Sequence, residues 1–160
     1  MRSHQVFAGM TPERASKLMG ALAEKVPVMY ASALQLAGAT LKTRPAYLQR
    51  QPRDKRAASI RRALSRVASN DIAEETLAVY FLECRKELLI EWLDLLGVEH
   101  DEGVLSASVL PAPDPGALRK ATKRFLGLDD DADRELLLQA FAAQESIDWP
   151  DLEALLPPRV

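Results

Sequence analysis

The sequence predicts an all-α fold, an irregular bundle of about six or seven helices. Three observations carry this expectation. Apolar residues recur at spacings of three and four along most of the chain, with no long stretch of period-two alternation. Prolines stand at the starts of periodic segments, as in Thr11-Pro12, Asp114-Pro115 and Trp149-Pro150. Glycines close others, as at Gly97 and Gly127.

The elements follow in order. Thr11 caps a helix that opens on Pro12, carries Leu18, Met19 and Leu22, and stops near Lys25 because Pro27 follows. Val26 to Leu41 is an uncharged run of 16 residues. It is shorter than the ~20 residues of a membrane span and reads as a core helix opened by Pro27. Ala31, Ala33, Ala37 and Gly38 are small enough for a neighbour to approach closely. Pro45 and Pro52 then forbid one long helix, so Thr43 to Pro52 reads as an irregular arm or a single turn. After Pro52 a helix is expected to about Ala68, with Ala57, Ile60, Leu64 and Val67 inward.

Asn70-Asp71 should cap the next helix, whose apolar residues are Ile72, Leu77, Tyr80, Phe81 and Cys84. The helical pattern continues through Leu88 to Leu96, giving 26 residues from Asp71. That exceeds the usual globular length, so a kink or break is expected near Cys84–Lys86. Leu89, Trp92, Leu93 and Leu96 are expected among the most buried residues. Val98 to Pro113 reads as non-helical, with Val104–Val109 extended. A helix from Asp114 to Leu126 buries Leu118, Thr122, Phe125 and Leu126. Asp129 or Asp130 caps the next, which buries Leu136, Leu137, Ala140 and Phe141. A last short helix carries Leu152, Leu155 and Leu156 and ends at Pro157-Pro158. The divide near Leu110–Pro113 separates an N-terminal helical bundle with a basic arm, residues 1–110, from a C-terminal helical segment, residues 111–160. The two are expected to pack as one domain.

Composition excludes several function classes. The chain has 160 residues, 48% apolar and 28% charged, with net charge −2, a globular balance without a uniform basic coat. Cys84 is the one cysteine and His4 and His100 the two histidines, too few for a disulfide framework or most metal centres. The 7 glycines form no phosphate-binding loop. With no signal-type apolar start and one unpaired thiol, a cytoplasmic location is expected, with no membrane partner and no cofactor.

Charge is segregated. Lys42, Arg44, Arg50, Arg53, Lys55, Arg56, Arg61, Arg62 and Arg66 face only Asp54, giving +8 over residues 42–66. Residues 71–102 carry −8, and residues 129–153 carry −8 again. On a helix after Pro52, Lys55, Arg62 and Arg66 fall within about 40° of one another, opposite Ile60 and Leu64. Such a stripe suits phosphate or an acidic partner; otherwise it is a solvated face or docks on the chain's own acidic helices. Tyr47 is the one aromatic in this segment, which weakens a single-strand stacking role.

His100 and Asp101 lie in the polar cluster Glu99–Gly103, just after Glu87, Glu91 and Asp94 on one helix face. A metal or base site is conceivable there. One ordered histidine is too few for the carboxylate-bridged bundle pattern, and an exposed polar loop is the plainer reading. Asp129–Glu135 resembles a calcium loop but places Arg134 at the sixth position and Ala140 at the twelfth, so capping explains it. Cys84, Trp92 and Trp149 read as packing residues.

Trp92-Leu-Asp-Leu-Leu-Gly-Val-Glu-His-Asp-Glu-Gly-Val104 resembles a phrase of a family of uncharacterised bacterial all-helical proteins, roughly Phe-Leu-Asp-Ala-Leu-Gly-Ile-x-His-Asp-x-x-Gly. Arg44-Pro-Ala-Tyr47-Leu-Gln-Arg50-Gln-Pro52-Arg53 is similar to that family's basic arm. The resemblance spans Leu41 to Pro111, with Trp92 in place of the usual Phe and a shorter loop after Asp101. It implies a helical fold and one surface shared by the arm and the Gly97–Gly103 loop, and no activity.

The expected function is a non-enzymatic protein-interaction module, with a protein partner or a second copy of itself. The candidate binding residues are Arg44, Arg50, Arg53, Lys55, Arg62, Arg66, His100 and Asp101. The alternative is a nucleic-acid-associated protein using residues 42–66, and a third reading is an enzyme or metal site near His100.

Overall fold

Proline and capping chemistry set most of the helix starts. The computed structural model describes residues 1–157. The chain is all-α. Its helices run in the order α1 (Ser3–Ala8), α2 (Pro12–Lys25), α3 (Pro27–Thr40), α4 (Pro45–Arg50), α5 (Arg53–Leu64), α6 (Asn70–Val79), α7 (Lys86–Leu96), α8 (Pro115–Leu126), α9 (Asp133–Ala142) and α10 (Pro150–Leu155). A 3-10 turn at Val67–Ser69 precedes α6, and a π-helical turn at Tyr80–Cys84 follows it. A minimal antiparallel hairpin, β1 (His100–Asp101) and β2 (Val104–Leu105), pairs His100 with Leu105.

Thr11 Oγ1 accepts the Arg14 N–H, and Pro12 fills the first position of α2. The Asp114 carboxylate accepts from the Gly116 and Ala117 N–H groups to open α8. Gly97 closes α7 in the left-handed region at φ 68°, where a side chain would be strained. The expected break falls at Arg85, with φ −136° and ψ 42°.

Several expectations are corrected. α1 was not among the expected elements; it buries Val6 and Phe7, and its His4 N–H donates to Asn70 Oδ1 at 3.2 Å. Asn70 therefore receives α1 instead of capping α6. The arm folds into the short helix α4, which buries Leu48. α5 stops at Leu64 instead of Ala68: the Ser65 hydroxyl donates back to the Arg62 carbonyl, and Arg66 is extended. Val67, past that turn, is 75% exposed and not in the core. Asp131, rather than Asp129 or Asp130, accepts the Asp133 N–H at the start of α9. Pro158, expected to stop the last helix with Pro157, lies outside the described residues.

In the core, Trp92 and Leu93 are fully buried, and Leu88 is buried with them. Leu89 and Leu96 are only half-buried, because α7 turns one flank toward the hairpin and solvent. Trp92 packs on Phe125 of α8 and Phe141 of α9 at centroid distances of 5.4 and 6.0 Å. Phe141 continues to Trp149 at 5.3 Å, and the Trp149 Nε1–H donates to the Leu110 carbonyl. One apolar core thus runs across the Leu110–Pro113 divide.

The small residues of α3 position the arm. Thr43 N–H donates to the Gly38 carbonyl at 2.9 Å, and a Cβ on Gly38 would lie 2.9 Å from the Thr43 carbonyl oxygen. Gly38→Ala should therefore push the arm outward and cost about 1–3 kcal/mol. Urea unfolding checks this, and a loss below about 0.5 kcal/mol would contradict the close approach.

Candidate functional site

α5 packs its Ala57, Ile60, Ala63 and Leu64 face against the bundle, which turns its charged residues outward. Lys42, Arg44, Arg50, Arg53, Lys55, Arg62 and Arg66 are all exposed. Tyr47 stands among them at 61% exposure. The stripe geometry is only partly realised: Lys55 and Arg62 lie on α5, while Arg66 sits beyond its end.

The other two cations of the segment are held by the fold. Arg61 Nη1 donates to the Met10 carbonyl at 3.0 Å and, more loosely, to the Phe7 and Ala8 carbonyls at the end of α1. Arg56 is half-buried. Arg53 lies across α2, where Gly20 leaves room; a Cβ there would stand 2.7 Å from its guanidinium. An open groove between α2 and α5 is lined by Glu13, Lys17, Glu24, Arg53, Asp54 and Lys55.

The alternative in which this basic segment docks on the acidic helices of its own fold is corrected; its offsetting of acids across a second copy is untouched by a single chain. Among the described residues, no cation of residues 42–66 makes an ion pair within the fold. Several of the acids are matched by other cations. Asp133, 4% exposed, accepts from the Tyr80 hydroxyl at 2.7 Å, from Arg14 Nη2 at 2.8 Å and from Arg85 Nη1. Arg85 also grips Asp131 at 2.5 Å and Glu87 at 2.7 Å. Arg134, 5% exposed, donates to Glu91 and Asp129 and lies 4.8 Å from the Phe125 ring centroid.

These contacts shift the titration of the groups involved. The Arg134 guanidinium and the Asp131 N–H hold the Asp129 carboxyl down to about 2. Arg85 lowers Asp131 in the same way. Burial works against the charge of Arg85, but its hydrogen bonds to Asp131 and Glu87 outweigh it and raise its pKa. Burial and the Asp133 carboxylate push the Tyr80 hydroxyl upward, and burial pushes the Cys84 thiol up, away from thiolate chemistry.

His100 is not a free loop residue. Its Nε2 lies 2.7 Å from Asp94 Oδ1, and its Nδ1 accepts the Gly103 N–H at 3.0 Å. The neutral ring with its proton on Nε2 satisfies both contacts and fastens the hairpin to α7. Asp101 is exposed beside it. Among the described residues, no group of three or more His, Cys, Asp and Glu side chains is placed to hold a metal ion. His100→Ala should cost about 1–2 kcal/mol through the two lost hydrogen bonds. Unchanged urea stability would contradict the fastening role.

The basic segment and the His100 hairpin are not gathered into one concavity. The groove holding Arg53 and Lys55 is bounded by α2 and α5, and the cavity beside the hairpin shares no lining residue with it. The Arg85–Asp131–Asp133 cluster, centred on buried Asp133, was missed as a unit. Its sequence signal was the run of aspartates before α9 together with the break at Arg85.

Compared with known proteins, the chain matches no family model, no curated protein and no solved structure. Among the described residues no helix is long and apolar enough to cross a membrane.

Proposed function

We propose that this chain is a non-enzymatic interaction module of a bacterial cytoplasm whose α4–α5 face docks an acidic protein surface. One observation carries the reading: Arg44, Arg50, Arg53, Lys55, Arg62 and Arg66 are exposed and unneutralised, while Arg14, Arg85 and Arg134 are committed to internal acids. A fold that pairs its inner arginines and leaves this set open presents complementary charge to something outside itself. Five of the six are arginines and Tyr47 stands among them, the residue types enriched at protein interfaces. The lone cysteine, unpaired and half-buried, supports a reducing compartment.

A nucleic-acid partner is the second reading, favoured by the same arginines. The −8 carried by each of residues 71–102 and 129–153 weighs against it, because the chain as a whole would repel a polyanion. The test is affinity capture from a bacterial lysate with wild type and with Lys55→Glu/Arg62→Glu/Arg66→Glu, with the fold of both verified. The expected result is an acidic protein retained by wild type and lost by the variant. Capture of nucleic acid alone, or of the same proteins by both, would contradict the proposal.

A further inference from the structure

Beside the hairpin lies a half-open apolar pocket of about 210 Å³, walled by α6, the π-helical turn, α7 and α9. Phe81, Leu89, Leu105 and Phe141 form much of its wall. No described charged side chain lines it, whereas charged residues line the α2–α5 groove and the groove beside Arg85. An apolar cavity of about 150 Å³ takes benzene, so the volume of this pocket suffices for a ring.

The backbone around this cavity is unusual at two places. The π-helical turn Tyr80–Cys84 inserts an extra residue on one side, a device frequent at ligand sites. At the hairpin tip Gly103 has φ 90°, and a Cβ there would lie 3.0 Å from Leu89 Cδ2. The hairpin is fastened by the polar contacts of His100 with Asp94 and Gly103, and its Val104 remains 59% exposed. Gly103, Val104 and Leu105 border the pocket without filling it.

We propose that this cavity binds an uncharged one-ring or fused two-ring aromatic molecule, with the hairpin at its border. The size admits one ring or two fused rings. An ion entering it would lose water and gain no partner. Phe81 and Phe141 offer ring contacts, which favour an aromatic over an alkyl chain. Gln144, the one polar side chain on the lining, supplies an amide for a ring N–H or hydroxyl.

Indole is the probe, titrated into the full chain and followed by calorimetry and by amide chemical shifts, with benzoate and 1-octanol as comparisons. The expected result is saturable one-to-one binding of indole, with shifts centred on Gly103 and Leu105. Ala140→Leu fills the cavity from α9 and should weaken indole by at least about tenfold while the chain stays folded. Ala78→Leu fills it from α6 and serves the same purpose if the first variant fails to fold. Absence of saturable indole binding to the folded wild type would overturn the proposal. So would shifts centred elsewhere, undiminished binding in the filled variants, or tighter binding of octanol or benzoate.

Discussion

Asp133→Ala should destabilise the protein by about 3–5 kcal/mol, the cost of removing one partner from a buried ion pair. Asp133 is 4% exposed and holds the Tyr80 hydroxyl, Arg14 and Arg85 at once. Removing its carboxylate leaves a buried phenol and two partly buried guanidiniums short of an acceptor. Because Arg85 stands at the break between the π-helical turn and α7, the loss also loosens the joint between the N-terminal bundle and α9. Urea unfolding of wild type and variant measures the difference, and a loss below about 1 kcal/mol would contradict the clamp. The neighbouring acids add a pH signature. Asp129 and Asp131 have lowered folded-state values, so their contribution is present above the ordinary aspartate value of about 3.9. It is lost as pH falls through the lowered values.

Leu93→Ala should cost about 2–5 kcal/mol. Leu93 is fully buried beside Trp92, at the point where α7 meets α8 and α9. Leu93 shares a wall with Phe81, Leu137 and Phe141, and removing its side chain would enlarge the apolar pocket there instead of letting it close. The same unfolding experiment checks it, and a loss below about 1 kcal/mol would displace Leu93 from the core.

Local signals in the sequence were reliable where the chemistry is local. Thr11-Pro12, Asp114-Pro115 and Gly97 each mark a helix end by satisfying or omitting nearby backbone groups, and each does so in the structure. The break at Arg85 was legible from length, since few globular helices run from Asp71 to Leu96 without one. Its cause was not legible, because Arg85 is held by Asp131 and Asp133, 46 and 48 positions away. The aspartates before α9 looked like capping residues because their pairing with Arg85 and Arg134 is tertiary. α1 was missed because six residues are too few to show a period. His100 was read as loose because Asp94 lies across the end of α7, outside any helical spacing. For the basic segment, the charges and the buried face of α5 could be read directly. That none of its cations pairs inside the fold required the structure, since short connections made the adjacent acidic helices the natural partners.

The central claim, that the α4–α5 face serves an acidic protein and not nucleic acid, is tested most directly by equilibrium binding across salt. Wild type and Lys55→Glu/Arg62→Glu/Arg66→Glu are titrated with poly-L-glutamate, duplex DNA and single-stranded RNA from about 50 to 200 mM salt. The expected result is poly-L-glutamate binding by wild type that the triple variant loses with its fold intact, and nucleic-acid binding weaker than micromolar. Micromolar or tighter binding of DNA or RNA, falling steeply with salt and abolished in the variant, would contradict the account and make the face a nucleic-acid site.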